Sequence, residues 1–266
     1  MEISPTIMGI VNCTPDSFFE HSRSLVIDEA IALGRSHFDN GAEIVDIGGE
    51  STRPGAEHVE VDEELRRVIS VIEALAPLGP ISIDTQKEAV ARAAVAAGAE
   101  VLNDVSSTLY AVAGELGVGY VAMHRQGTSP TMQEAPHYDD VVGEVYAFLE
   151  DVATKARAAG VEQLWLDPGI GFGKTAEHNL ALLAHIDDLV EISQAHQAGV
   201  LIGTSRKRFL GNLGERPLEV DERLEGSLAS ATWAMLNGAS MVRVHDVKAT
   251  VQARELLTRP LGEVSQ

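Results

Sequence analysis

Cysteine is nearly absent: Cys13 stands alone among 266 residues. That excludes an intramolecular disulfide and any zinc or iron–sulfur site built on several thiolates. Two readings of the thiol remain, a nucleophile or a small packed residue, and the apolar run Met8-Gly9-Ile10-Val11 before it favours packing. Basic residues are scarce, 20 against 40 acidic ones, for a formal charge of −20. A nucleic-acid binder needs a dominant basic face, and an anionic membrane repels such a chain, so neither partner is expected. Long apolar runs are missing too. The longest uncharged stretch, residues 226–242, carries Ser, Thr, Asn and two glycines, unlike any spanning helix. Met1-Glu2-Ile3-Ser4-Pro5 lacks the basic opening and apolar core of a signal peptide, so a soluble cytoplasmic protein is expected. Nor does any low-complexity tract or Pro/Ser-rich linker divide the chain, and a single domain over residues 1–266 is the expectation.

What is present, with 45% hydrophobic residues, is a core-forming pattern that recurs. Short apolar runs stop at a polar residue: Ile7-Met8-Gly9-Ile10-Val11 before Asn12, Ile44-Val45 before Asp46, Ile81-Ser82-Ile83 before Asp84, and Val101-Leu102 before Asn103. Tyr120-Val121-Ala122-Met123 precedes His124, Leu164-Trp165-Leu166 precedes Asp167, Val200-Leu201-Ile202-Gly203 leads to Ser205, and Met241-Val242 precedes Arg243. Such runs read as buried parallel strands. Helix-length segments lie between them. Leu65, Val68, Ile69, Ile72 and Leu75 fall at helical spacing behind acidic Asp62-Glu63-Glu64. Thr85-Gln86-Lys87-Glu88 has the form of a capping box opening a helix towards Gly98. Alanine-rich segments at 147–159 and 228–236 also read as helices. Gly41, Gly98, Gly160 and Gly238 each close a helix and feed an alternate strand, the pattern of paired βα units. Eight such units make a (β/α)8 barrel with its site at the C-terminal strand ends; an open doubly wound sheet is the rival, without its glycine fingerprint after the first strand.

Asp167-Pro168-Gly169-Ile170-Gly171-Phe172-Gly173-Lys174-Thr175 imitates a phosphate-binding P-loop and fails on count, because position 168 is Pro where Gly is required. It reads as a ligand loop or as a turn in which Asp167 binds nearby N–H groups. Asn12, Asp84, Asn103, Asp167, Lys207 and Arg243 sit at or just beyond strand ends. Two carboxylates, two amides and two cations could converge on a flat heterocycle, since a carboxylate accepts paired N–H groups in one plane. Each alone could equally be a cap or a satisfied core group. Arg53, Ser205-Arg206-Lys207-Arg208 and Arg243-Val244-His245 concentrate positive charge near the phosphate corner of a barrel and imply an anionic ligand. The alternative, a solvated charge run, suits Arg206 and Arg208 better than Arg243. His124 and His245 have no partner at metal-ligand spacing, which argues against zinc.

With these motifs in order, the chain resembles the dihydropteroate synthases, the pterin-binding barrel enzymes of the folate pathway. The likeness runs over residues 7–251. It rests on Met8-Gly9-Ile10-Val11-Asn12-Cys13-Thr14-Pro15-Asp16-Ser17-Phe18, Gly48-Gly49-Glu50-Ser51-Thr52-Arg53-Pro54-Gly55 and Ser82-Ile83-Asp84-Thr85. Asn103-Asp104-Val105-Ser106, Met123-His124, the Asp167 loop, Ser205-Arg206-Lys207 and Arg243-Val244-His245-Asp246 complete it. The resemblance implies a usually dimeric (β/α)8 barrel that joins a hydroxymethyl-dihydropterin diphosphate to 4-aminobenzoate and releases diphosphate. It implies that Asp84, Asn103, Asp167 and Lys207 hold the pterin. Asn12 would contact Mg2+ and the diphosphate, with Thr52, Arg53, Arg243 and His245 also at the diphosphate. Thr52, Pro54, Phe172 and Lys207 would line the 4-aminobenzoate site, and Arg53, Lys207, Asp84 and Asp167 would act in catalysis. Thr52 and Arg53 would lie on a mobile loop.

The sequence departs from the family after Ser17-Phe18, where Phe19-Glu20-His21-Ser22-Arg23 replaces an Asp- and Gly-containing turn, and after Ser106, where a glycine-rich insertion is shortened. Glu20 is expected to take over the missing aspartate's contact with Mg2+ or its waters, with Phe19 packing on the second loop. A catalytically silent pterin-binding paralogue and a pterin-dependent methyltransferase are the competing readings.

Overall fold

The computed structural model describes residues 4–14, 23–51, 56, 58–127 and 131–258, with the side chains of 23–25 excepted. Of the expected site residues, Thr52, Arg53 and Pro54 lie outside the described residues, as do Phe19 and Glu20.

The eight apolar runs are the strands β1 (Thr6–Asn12), β2 (Ile44–Gly48), β3 (Ile81–Asp84), β4 (Val101–Asp104), β5 (Gly119–Met123), β6 (Leu164–Asp167), β7 (Gly199–Ile202) and β8 (Met241–Val244). Each pairs in parallel with the next, and β8 pairs with β1, so the sheet closes into a barrel. The open-sheet rival is thereby excluded. Two strand ends differ from the sequence expectation: Gly203 falls beyond β7, and Arg243 lies within β8. Around the barrel run α1 (Arg23–Asp39), α2 (Val61–Leu75), α3 (Glu88–Ala96), α4 (Tyr110–Leu116), α5 (Val141–Ala158), α6 (Ala176–Ala184), α7 (Ile186–Ala195), α8 (Arg208–Gly211), α9 (Leu224–Leu236) and α10 (Val247–Leu257).

The strands are buried on both faces, yet their alternation survives. Ile7, Val45, Ile47, Ile81, Ile83, Leu102, Tyr120 and Leu166 pack outward in one core with the helices. Met8, Ile44, Val101, Val121, Leu201 and Met241, with Trp165 against them, form a second apolar cluster. Because Met8 pairs with Ile44 and Val121 with Trp165, these residues share the inward face and fill the barrel's interior. Polar residues one pleat further along the strands therefore rest on a dry floor.

Gly41, Gly98, Gly160 and Gly238 have φ of 93°, 117°, 91° and 91° before β2, β4, β6 and β8. The repeat seen in the sequence is thus a repeat of left-handed helix ends. In α2, Val68, Ile72 and Leu75 are buried and Leu65 and Ile69 half-buried, as their spacing requires. The capping box at Thr85 does not form. Helix α3 starts at Glu88 after Lys87, and the Thr85 hydroxyl donates instead to Glu64 Oε1 at 2.7 Å. The same hydroxyl oxygen accepts from Lys87 N at 3.2 Å, two residues on, and not from the N–H three residues on that a capping box requires. Among the described residues, no helix is long and apolar enough to cross a membrane.

Candidate active site

Register brings the strand ends to one level. Asn12 pairs with Gly48, Gly48 with Asp84, and Asp84 with Asn103. Two residues below Gly48, Asp46 pairs with Ser82. Arg243 reaches into this layer from β8. Its Nε donates to Asp46 Oδ2 at 2.6 Å and its Nη2 to Asp84 Oδ2 at 2.9 Å. Asn103 Nδ2 donates to the same Asp46 oxygen at 3.1 Å. One guanidinium and one carboxamide are therefore oriented by a single, fully buried carboxylate. Next after Asn103, Asp104 accepts from Ser106, Thr108 and Leu109 N–H groups and from Tyr120 Oη, which fixes the turn leaving β4.

Three buried polar atoms have no partner among the described residues: Asp46 Oδ1, Asp84 Oδ1 and Ser82 Oγ. Buried acceptors left open are costly, and a cluster of them calls for a ligand or water. Burial pushes the Asp84 carboxyl well above the usual range, with Arg243 opposing and Asp46 reinforcing the rise. A ligand that brings N–H groups or positive charge relieves both strains at once.

Asp167 ends β6 on the opposite side. Its Oδ1 accepts from Gly169 N at 2.7 Å, so the simpler turn reading of this loop is also realised. Burial raises its carboxyl above the ordinary value against the pull of Lys207. Lys207 Nζ donates to Ile170 O and stands 4.7 Å from the centre of the Phe172 ring. Burial lowers this ammonium to about 8, Asp167 holding it up and Arg243 pressing it down. Asp84, Asp167, Lys207 and Arg243 thus interact electrostatically as one group, as the sequence set anticipated.

The other expected residues lie around this centre. Asn12 is exposed at the end of β1. His245 sits past β8, its Nδ1 3.0 Å from Ser205 Oγ. Arg206 pairs with Asp246 at 2.6 Å, while Arg208 is exposed. Cys13 is packed in the core, and burial pushes its thiol up to about 12, so it is no nucleophile. His124 is buried and lowered to about 3 by burial and Lys174. It is a neutral ring that supports a lysine. Among the described residues no cluster of His, Cys, Asp or Glu forms a metal cage.

Two features escaped the sequence reading. Asp46 ends the run Ile44-Val45 and carries the same signal as Asp84, but lies mid-strand. The second is a buried network in which Lys87 joins Glu50 to Glu64, with Glu50 Oε2 also accepting from Val59 N at 3.3 Å. Burial works against the Lys87 charge and the two carboxylates more than restore it. Glu64 reads in sequence only as one of three acids in a helix's first turn.

The family model described as pterin binding enzyme matches residues 8–245. The dihydropteroate synthase of Escherichia coli (strain K12) is 43% identical over 268 residues, 97% of this chain and 92% of that protein. That of Synechocystis sp. is 42% identical over 255 residues, 92% of this chain and 86% of that one. Among solved structures, Xanthomonas albilineans dihydropteroate synthase with 4-aminobenzoic acid superposes with a TM-score of 0.86 at 46% identity, covering 95% of this chain and 92% of that one. The Yersinia pestis enzyme with a sulfonamide drug complex gives 0.87 at 40% identity, covering 96% and 93%.

Proposed function

The chain belongs to the dihydropteroate synthases of the pterin-binding enzyme family, and from that premise we propose how its residues divide the work. The reaction condenses 6-hydroxymethyl-7,8-dihydropterin diphosphate with 4-aminobenzoate to give 7,8-dihydropteroate and diphosphate. The methylene C–O bond breaks with its electrons going to diphosphate. The aromatic amine then forms the C–N bond and gives up a proton. Full-length likeness to synthases leaves the silent-paralogue and methyltransferase readings without support.

In this proposal the pterin lies on the polar layer, with Asp84, Asn103, Asp167 and Lys207 around its edge. The observation that carries it is the buried, unpartnered oxygen of Asp84 beside that of Asp46. As the C–O bond breaks, positive charge spreads from the methylene into the ring. Buried Asp84 and Asp167 stabilise that charge more than the neutral ground state, which is the condition for catalysis. Arg243 spends two of its donors on Asp46 and Asp84. Its others, with His245, Thr52 and Arg53, would face the diphosphate. Phe172, Thr52 and Pro54 would wall the 4-aminobenzoate, with Lys207 between the two substrates. The amine needs no enzyme nucleophile.

The exposed Asn12 carboxamide would hold Mg2+. One amide oxygen suits a hard cation that keeps its waters and leans on substrate phosphates. When bound, the ion offsets charge on the departing diphosphate. A homodimer is proposed through α9 and α6, where Trp233, Leu236 and Leu180 are exposed apolar residues and Trp233 Nε1 donates to Leu183 O at 2.8 Å. The acidic, cysteine-poor composition supports a cytoplasmic location.

Asp167→Ala tests the pterin assignment. Charged hydrogen bonds contribute roughly 1.5–3 kcal/mol each, so calorimetry should show pterin-diphosphate affinity lowered more than about tenfold. Unchanged affinity would remove Asp167 from the site.

A further inference from the structure

The loop joining β6 to α6 turns on Gly169, Gly171 and Gly173, with φ of 65°, 85° and 63°. A Cβ on Gly169 would stand 1.8 Å from the His124 carbonyl oxygen, and one on Gly173 would stand 2.2 Å from that of Gln126. The loop is therefore laid directly on the backbone leaving β5. Such a buried loop has no ladder to satisfy its peptide groups, so other partners must do so. Gly171 N donates to Asn179 Oδ1 at 2.7 Å, Gln133 Nε2 donates to Gly171 O at 2.7 Å, and Tyr138 Oη donates to Gly173 O at 3.0 Å.

Phe172 N donates to Gly169 O at 3.1 Å, and Lys174 reinforces this turn from within. Its Nζ donates to Gly169 O at 3.0 Å, to Phe172 O at 3.1 Å and to His124 O at 3.4 Å, and lies 3.0 Å from His124 Nδ1. The residue is 3% exposed, and each of these partners is a neutral acceptor. With three protons when charged, or two and a lone pair when neutral, the group finds partners for all of them among these atoms. Burying such a charge without a carboxylate in contact is unfavourable, and an apolar side chain would fill the volume at less cost. What an apolar side chain could not do is hold two carbonyls at a fixed separation. Those carbonyls bracket Ile170, whose own carbonyl accepts from Lys207, and Phe172, whose ring Lys207 overlies.

We propose that Lys174 is a positioning residue for recognition of 4-aminobenzoate: its Nζ, donating to both Gly169 O and Phe172 O, sets the Phe172 ring against Lys207. The inference rests on Phe172 lining the 4-aminobenzoate site, as proposed above. Misplacing a substrate wall by about 1 Å costs up to ~100-fold.

The test is steady-state kinetics with both substrates on the full-length enzyme carrying Lys174→Met, Phe172→Ala or both, with pterin-diphosphate affinity measured by calorimetry. Lys174→Met should raise KM for 4-aminobenzoate about tenfold or more while pterin-diphosphate affinity stays within about threefold. On the Phe172→Ala background the same substitution should add less than about twofold, because the ring it positions is gone. Additive effects, an unchanged KM, or equal losses for both substrates would overturn the proposal. Phe172→Ala alone separates the two levels. If it leaves KM unchanged, the assignment of Phe172 falls; if it raises KM and Lys174→Met does not, only the role of Lys174 falls. Should Lys174→Met fail to fold, Gln133→Ala removes an outer donor to the same loop. It should raise the same KM by a smaller factor, and no change would count against the proposal.

Discussion

At the residue scale, one carboxylate governs the polar layer. Asp46 Oδ2 holds both Arg243 Nε and Asn103 Nδ2. Asp46→Ala would leave Arg243 buried with half its partners, a loss of about 3–5 kcal/mol for a broken buried pair. For a chain of this size that corresponds to a Tm lower by on the order of 10 °C. Scanning fluorimetry checks it, and a Tm within about 2 °C of the parent would show that the pair is not what holds the layer. Lys174 supplies a pH test. Burial lowers its ammonium from 10.5 to about 7 in the folded protein. Between those limits the unfolded chain binds the extra proton, so this group makes stability rise with pH from about 7 to 10.5. Below that window, the buried charge is a standing cost. Lys174→Met lacks the effect, while Lys207 contributes to both proteins and cancels. The Tm of the parent minus that of the variant should therefore increase between about pH 6.5 and about pH 9. A difference that stays flat would mean that Lys174 remains charged throughout.

At the element scale, α2 and the start of α3 are joined by charge rather than by capping. Lys87 pairs with Glu64, which is fully buried on α2, and with Glu50 beyond β2. Lys87→Met strands both carboxylates, so urea denaturation should show a loss of about 3–5 kcal/mol. Glu64→Gln combined with it should cost less than the two single losses together, by about 1 kcal/mol or more, because the stranded charge is gone. Strict additivity would show that the pair does not couple. The eight strands and four of the helices, α2, α3, α5 and α9, were legible from period and punctuation. Val68, Ile72 and Leu75 face the core as their spacing requires, and Gly98 ends α3 at φ 117°. Thr85 misled because a capping box is a local pattern: the helix starts at Glu88, so the Thr85 oxygen accepts from Lys87 N and its proton goes to Glu64 on α2.

At the scale of the whole molecule, the exposed Trp233 and Leu236 of α9 and Leu180 of α6 form the surface proposed to pair two copies. Leu236→Glu introduces a charge into an apolar contact and should shift sedimentation from dimer to monomer without unfolding the barrel. A parent enzyme that sediments as a monomer would remove the proposal.

The barrel, its eight strands and most of the polar set were set by the sequence alone, because each signal is local. A short apolar run ending in a polar residue makes a strand of four to seven residues, and a glycine that can take positive φ closes a helix before it. The ordered motifs then point to the family. What only the tertiary structure decided is which polar groups meet. Arg243 reaches Asp46 across 197 positions and Asp84 across 159, contacts that exist only because β8 closes on β1. Asp46 looked no different from its neighbours until register placed it one pleat below Asp84. The shifted acidities of Asp84, Asp167, Lys174 and Lys207 come from burial and from charges on other strands and loops. Nothing along the chain specifies that environment; the closed ring creates it.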